Sequence, residues 1–411
     1  MSNESSLTLT SNIQASGPSV VTRMLLNSLQ NLSVGQLTLV DGDRKQIFGE
    51  GNEGVSAHVT VHDPSFYKAV IKDGSIGAAE SYMQGHWETP DLTAVMRLMA
   101  SNLATLDRLD ASTSWLNRLS RKLFHKLNGN SVTGSKKNIV AHYDLSNAFY
   151  ELFLDSTMMY SAGVYADQGS TLQDASEHKL KRLCDFLDLS ADDHLLEIGT
   201  GWGGLACYAA KHYGCKVTTT TISDEQYKFA QTRFEQEGVA DQVVLLNQDY
   251  RALTGVYDKL ISIEMIEAVG FEHLDQFFKK CSSLLKPGGK MSLQSITIAD
   301  QREKAYRNSV DFIQRYIFPG GYLPSVAVLS EHIAKYSDLS IRTLNDIGLD
   351  YAKTLEDWRH NFEEQLDKVR ALGFDEQFIR MWRFYLCYCE GGFREKTIST
   401  VQMQLEKAPY S

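Results

Sequence analysis

The sequence predicts an α/β protein: a doubly wound, mostly parallel sheet preceded by a smaller α+β domain. Three observations carry this reading. His194 to Ile198 is a short apolar run that ends in Gly199, Gly201, Gly203 and Gly204, and an amphipathic helix resumes at Leu205. Beyond it, strand-like and helical runs alternate with short connections, as in a parallel sheet covered on both faces. Ahead of it, runs of period two around an Asp41-Gly42-Asp43 turn read as a small sheet. At 411 residues the chain exceeds what one core usually serves, so two domains are expected.

Taken in order, residues 1–18 are rich in Ser, Thr and Asn and read as a loose tail. A domain over 19–113 follows. It has a helix over 21–32, strands over 36–40, 45–48 and 55–61, and helices over 66–71, 77–83 and 92–106. A basic amphipathic linker spans 114–137. In it Trp115, Leu116, Leu119, Leu123 and Leu127 share a helical face ringed by Arg118, Arg121, Lys122 and Lys126. Such a helix either lies in a membrane interface or packs on a neighbouring domain. The second domain, 138–411, has strands over 195–198, 216–222, 242–247, 259–263 and 290–298, with helices near 203–213, 223–237 and 272–286. Lys286-Pro-Gly-Gly289 reads as a helix stop and turn, and about 300–335 as an insertion. Strands over 341–347 and 400–405 complete the sheet around a mostly helical excursion over 351–384.

Composition narrows the class. With 43% hydrophobic and 22% charged residues the chain is ordinary for a globular protein. No apolar run is long enough for a transmembrane helix, and the N-terminus lacks the basic start and apolar core of a signal peptide. Six scattered cysteines make no disulfide framework, and Cys387 with Cys389 lacks the second pair a zinc site needs. No metal is expected, and the compartment reads as reducing and cytoplasmic. A net charge of −10 argues against nucleic acid as a partner.

The chemistry-bearing residues cluster at strand ends. Glu197 precedes the glycine turn, and Gly199 and Gly201 let backbone approach a ligand. The spacing lacks the third glycine that serves a pyrophosphate, and a carboxylate there suits a cationic ligand better. Thr221, Ser223 and Gln226 supply neutral hydrogen bonds after the next strand. Asp249 ends another, as an adenine acceptor or as a turn acid. Glu264 and Glu267 follow an apolar strand, where carboxylates either stabilise positive charge or begin a helix. Residues 315–325 bring Tyr316, Phe318 and Tyr322 into a Pro/Gly-stiffened segment suited to wall an apolar channel or to fill a core.

The glycine turn resembles the first motif of class I methyltransferases. Several strings in one order resemble the cyclopropane-fatty-acyl-phospholipid synthase family, which includes the mycolic acid cyclopropane synthases. They are Gly77-Ala-Ala-Glu-Ser-Tyr-Met-Gln-Gly-His-Trp87, His142-Tyr-Asp-Leu-Ser-Asn147, Met159-Tyr-Ser161, Leu196-Glu-Ile-Gly-Thr-Gly-Trp-Gly203, Thr221-Ile-Ser223 and Met265-Ile-Glu267. Tyr316-Ile-Phe-Pro319, Leu323-Pro-Ser325, Tyr351 and Gly391-Gly-Phe393 complete the set.

The resemblance implies a class I methyltransferase fold and methyl transfer from S-adenosylmethionine to the cis double bond of an unsaturated acyl chain on a membrane phospholipid. It implies a cofactor site of Tyr160, Ser161, Glu197, Gly199, Gly201, Thr221, Gln226, Asp249 and Tyr250. It also implies a bound bicarbonate as base, held by Glu267, Tyr351 and the Ile296 N–H. The partners implied are the acyl chain and, transiently, the inner membrane surface; a homodimer is compatible with them.

Two positions depart from the family pattern: Ala162 stands where Cys is usual, and Gln294 where His is usual. An amide donates a hydrogen bond but carries no proton. The product implied is therefore a cyclopropane or, where the base is displaced, a methyl- or methylene-branched chain. The alternative from another class is a lipid-binding protein with a retired site; intact Glu197, glycine turn, Glu267 and Tyr351 count against it.

Overall fold

The computed structural model describes residues 19–51, 54–103 and 145–410. The tail 1–18, the basic stretch 114–128, the polar break after it and the start of the His142–Asn147 string lie outside these residues.

Seven strands form the large sheet. They are β5 (His194–Ile198), β6 (Lys216–Thr221), β7 (Val243–Asn247), β8 (Tyr257–Ile263), β9 (Leu285–Ile298), β10 (Leu339–Asp346) and β11 (Ile398–Lys407). The spatial order is β10-β11-β9-β8-β5-β6-β7. Pairs among β5 to β9 are parallel, and β11 runs antiparallel to both β9 and β10. The chain lays β6 and β7 on one side of β5, then crosses to place β8 on the other. That reversal opens a crevice at the carboxyl ends of β5 and β8. This is the doubly wound, mostly parallel sheet expected from the sequence.

Burial follows the period of two. Leu195 and Ile261 pack on one face with Leu180, Leu183, Ala206 and Ala209. Leu196 and Leu260 pack on the other with Phe277, Phe278, Leu329 and Ile333. Successive strand residues thus feed opposite layers, which requires helices on both sides. The 286–289 turn is absorbed into β9 instead of preceding it. Pairing jumps from Tyr257–Leu285 to Lys259–Lys290, so the Pro-Gly-Gly segment bulges out of the ladder.

The small sheet has order β2-β1-β3-β4, from β1 (Gln36–Asp41), β2 (Arg44–Phe48), β3 (Ser56–Val61) and β4 (Trp87–Glu88). Helix Ser65–Met83 merges the two short helices read from sequence, and Gly74, at φ +56° and ψ −127°, marks the kink between them. The apolar interior of this sheet is continuous with the long helices Gly348–Glu364 and Glu376–Arg394, through Tyr82, Trp87, Trp358, Trp382 and Phe384. Polar ties reinforce the seam: Thr93 Oγ1 donates to Glu390 at 3.0 Å, and Arg97 Nε to Glu395 at 2.6 Å.

Helix Glu376–Arg394 approaches helix Leu92–Ser101 so closely that a Cβ on Gly391 would lie 2.7 Å from Met96 Cβ and 3.0 Å from the Arg97 nitrogen. Gly391→Val should therefore cost about 1–3 kcal/mol through overpacking. Thermal denaturation should show it as a lowered Tm.

Candidate active site

The strand order brings the strand-end residues to one place. A single cavity of about 1170 Å³ is lined by Glu197, Gly199 and Gly201 after β5, Thr221 and Gln226 after β6, Asp249 and Tyr250 after β7, and Glu264 and Glu267 after β8. Tyr160, Ser161, Ile296, Phe318, Tyr322 and Tyr351 close it from other elements.

At the glycine turn, Gly199 has φ +104°, outside the reach of ordinary side chains. Its N–H and that of Thr200 both donate to the Thr220 carbonyl, which locks the turn to β6. Glu197 is buried and accepts from Thr219 Oγ1. Burial pushes its carboxyl up to about 8, against that hydrogen bond. A group in that state is neutral at pH 7 and ionises more readily when a cation arrives.

Thr221 Oγ1 donates to Gln226 Oε1 at 2.9 Å, and Ser223 caps the helix that carries Gln226. Asp249 lines the cavity and also caps a short turn; Arg251 grips both its oxygens at 2.9 and 2.8 Å. Tyr160 shares a 2.8 Å hydrogen bond with the Tyr385 hydroxyl and stacks on Trp358 at 5.2 Å.

At the other wall two carboxyls sit deep in the molecule, each keeping some surface toward the cavity. Glu264 accepts from the Ala162 N–H at 3.0 Å, Gln294 Nε2 at 2.8 Å and the Tyr351 hydroxyl at 2.9 Å. Glu267 Oε1 accepts from the Ile296 N–H at 2.5 Å and Ser295 Oγ at 3.0 Å, while its Oε2 is buried with no hydrogen-bonding partner. Burial first, and the neighbouring Glu264 second, push the Glu267 carboxyl up to about 8. Close by, fully buried Lys179 donates to Ser161 Oγ at 2.8 Å, and burial lowers its ammonium to about 8.

A model of the mycolic acid cyclopropane synthetase family matches residues 130–403. This chain belongs to that family. It is 36% identical over 353 residues to the tuberculostearic acid methyltransferase UfaA1 of Mycobacterium tuberculosis, spanning 84% of this chain and 82% of that one. It is 35% identical over 358 residues to the cyclopropane-fatty-acyl-phospholipid synthase of Escherichia coli K12, spanning 86% and 88%. Among solved structures, mycolic acid cyclopropane synthase CmaA1 complexed with SAH and CTAB is 29% identical and superposes with a TM-score of 0.61, over 66% of this chain and 98% of that one. The chain is accordingly an S-adenosylmethionine-dependent methyltransferase of a lipid-modifying family.

Within this family member, the bicarbonate implied by resemblance does not fit the residues present. Tyr351 donates to Glu264, and the Ile296 N–H is spent on Glu267 itself. The Ala162 and Gln294 donors also converge on Glu264. An external anion there would meet a carboxylate already holding its donors. Tyr316 is a second correction: it lies outside the cavity wall and donates to Glu80, tying the insertion to helix Ser65–Met83. Tyr322 and Phe318 do line the cavity, although the Tyr322 hydroxyl is committed to Glu303 at 2.6 Å.

Two features of the methyltransferase site were not legible in the sequence. Lys179 falls on the apolar face with Ser176, Leu180 and Leu183, a helical spacing that marks it as buried. The cavity also runs on beneath the small sheet, past Leu25, Leu37, Val59 and Met99; apolar residues there read only as core.

The Glu267 carboxyl yields a stability prediction. Its folded value lies near 8 against about 4.5 unfolded, so between these the native state holds the extra proton. Stability from this group is complete below the unfolded value and is lost as pH rises through 8. Glu267→Gln mimics the protonated form, so denaturant unfolding should show a flatter pH profile and a gain of several kcal/mol above pH 8.

Proposed function

We propose that this protein transfers the methyl group of S-adenosylmethionine to the cis double bond of an unsaturated acyl chain in a membrane phospholipid, and that the product is a cyclopropane chain. One observation carries the reading. The crevice at the ends of β5, β6 and β7 and an apolar slot are one cavity, and the carboxyls of Glu264 and Glu267 line it. At about 1170 Å³ it exceeds what one drug-sized ligand fills.

On this reading the glycine turn, Glu197, Thr221, Gln226, Asp249 and Tyr250 receive the donor, with Tyr160 and Ser161 over it. The acyl chain lies along Phe318 and Tyr322, and its tail passes beneath the small sheet. An alkene is a feeble nucleophile with no proton to remove beforehand. The enzyme's main task is to hold the π bond in line with the sulfonium methyl in a site from which water is excluded. Methyl transfer leaves a carbocation, which the rings of Tyr160 and Tyr351, both lining the cavity, and the buried carboxylate stabilise. On this reading the enzyme works at the cytoplasmic surface of a membrane.

A second reading ends in a methyl- or methylene-branched chain. It is favoured by the relative named for tuberculostearic acid methylation and by Gln294, whose amide takes up no proton.

Expression in a bacterium without cyclopropane lipids, followed by mass spectrometry of its fatty acids, tests both readings. Chains carrying one added carbon should appear. Among products that keep one degree of unsaturation, resistance to hydrogenation marks the ring and uptake of hydrogen marks the methylene, while a fully saturated mass marks the methyl branch. Met99→Trp, which narrows the far end of the slot, should shift the product toward shorter chains and leave S-adenosylmethionine affinity by calorimetry unchanged. An unaltered lipid profile with the wild-type protein would refute the reading.

A further inference from the structure

We infer that Glu264 is the resident base of this enzyme: its carboxylate, not an anion drawn from solution, receives the proton that leaves the transferred methyl group. The inference rests on the methyl-transfer reading above and names the group that completes it.

Four features of the site converge on this residue. Its three hydrogen-bond donors come from three separate elements: the Ala162 N–H from the segment after Tyr160, the Gln294 amide from β9, and the Tyr351 hydroxyl from helix Gly348–Glu364. All three are donors to an oxygen, the set a carboxylate requires. The Gln294 amide is itself oriented, because its Oε1 accepts from Gln402 Nε2 at 2.9 Å and so turns Nε2 toward Glu264. The backbone of Glu264 is held at φ +48°, an uncommon state for a non-glycine residue, and its N–H donates to the Gln294 carbonyl at 2.8 Å. Strain of that kind persists where surrounding contacts over-determine it, commonly at functional sites.

The other groups facing this point are poor bases. Gln294 has no basic atom. Lys179 donates to Ser161 and acts on Glu264 through its charge. The Tyr351 phenol is raised well beyond its ordinary range, first by burial and then by Glu264. Glu267, pushed up to about 8, keeps its proton at neutral pH. Glu264, also raised by burial, has three donors and the Lys179 charge to support its ionised form.

The step balances without a co-reactant. A bond forms between the methyl carbon and one alkene carbon as the sulfur–carbon bond breaks, and the cation resides on the other alkene carbon. A Glu264 oxygen then takes one methyl proton. The released C–H pair closes the three-membered ring, and Glu264 is left as the neutral acid until it returns the proton to solvent.

The test compares the full-length wild type with E264G and E264Q on S-adenosylmethionine and vesicles of unsaturated phospholipid, in buffer stripped of carbon dioxide or supplemented with bicarbonate. Glycine accepts φ +48° without strain, so E264G should fold. The wild-type rate should change less than about twofold between the two buffers. Both variants should fall about 10²–10⁴-fold, the range for loss of a general base. Added bicarbonate or formate should restore E264G at least about tenfold, because it can take the vacated donors. It should not restore E264Q, whose amide still fills the place.

A wild type that stalls without bicarbonate, or an E264Q that keeps its rate, overturns the inference. Titration with ¹³C-bicarbonate, read by NMR, needs no turnover. No binding to the wild type and one equivalent on E264G support it, and one equivalent on the wild type overturns it. If the wild type modifies no lipid, the methyl-transfer reading fails, and this titration still decides which anion the three donors hold.

Discussion

A carboxylate removed from water must have its charge met by fixed donors, and much of this active site is arranged around that requirement at Glu264. Donors arrive from the segment after Tyr160, from β9 and from helix Gly348–Glu364, and a buried ammonium stands behind them. None is adjacent to another in sequence. They meet because β8 and β9 run parallel side by side, and because β11, antiparallel to β9, sets Gln402 against Gln294. Leaving one such donor unpaired, or the charge unpaired, costs more than the pairing itself contributes. Network and fold therefore hold one another in place.

The pair Glu264 and Glu267 divides its labour through environment. Two carboxyls in one dry pocket resist ionising together, so a difference in hydrogen bonding decides which keeps its proton. Glu264 has three donors and a nearby cation. Glu267 has an N–H and a hydroxyl on one oxygen and no hydrogen-bonding partner on the other. Hydrogen bonding therefore favours the charge on Glu264 and the proton on Glu267. An anion facing a greasy slot is what a transient carbocation requires, and it needs little reorganisation during the reaction.

The slot depends on the seam between the small sheet and the long C-terminal helices. Trp358, Trp382 and Phe384 belong to the same apolar mass as Leu37, Val59 and Trp87. Residues that read as two hydrophobic patterns in sequence thus enclose one interior. Tyr316, expected in the channel, instead donates to Glu80 across this seam and fastens the insertion to the small sheet.

Much of the large sheet was legible from the chain alone. Its seven strands follow from apolar runs, turn residues and alternation, all local properties that need no partner to be read. The strand-end positions of Glu197, Thr221, Asp249 and Glu267 followed as well, because a parallel sheet gathers such ends at one edge. Local pattern does not say which side-chain atom meets which. The length of a turn and the crossing of β8 brought Tyr351 to Glu264 and gave the Ile296 N–H to Glu267. The extension of the cavity beneath the small sheet, and the burial of Lys179 beside Ser161, were decided the same way. Hydrogen bonds act over about 3 Å, and only the packed tertiary structure specifies distance on that scale.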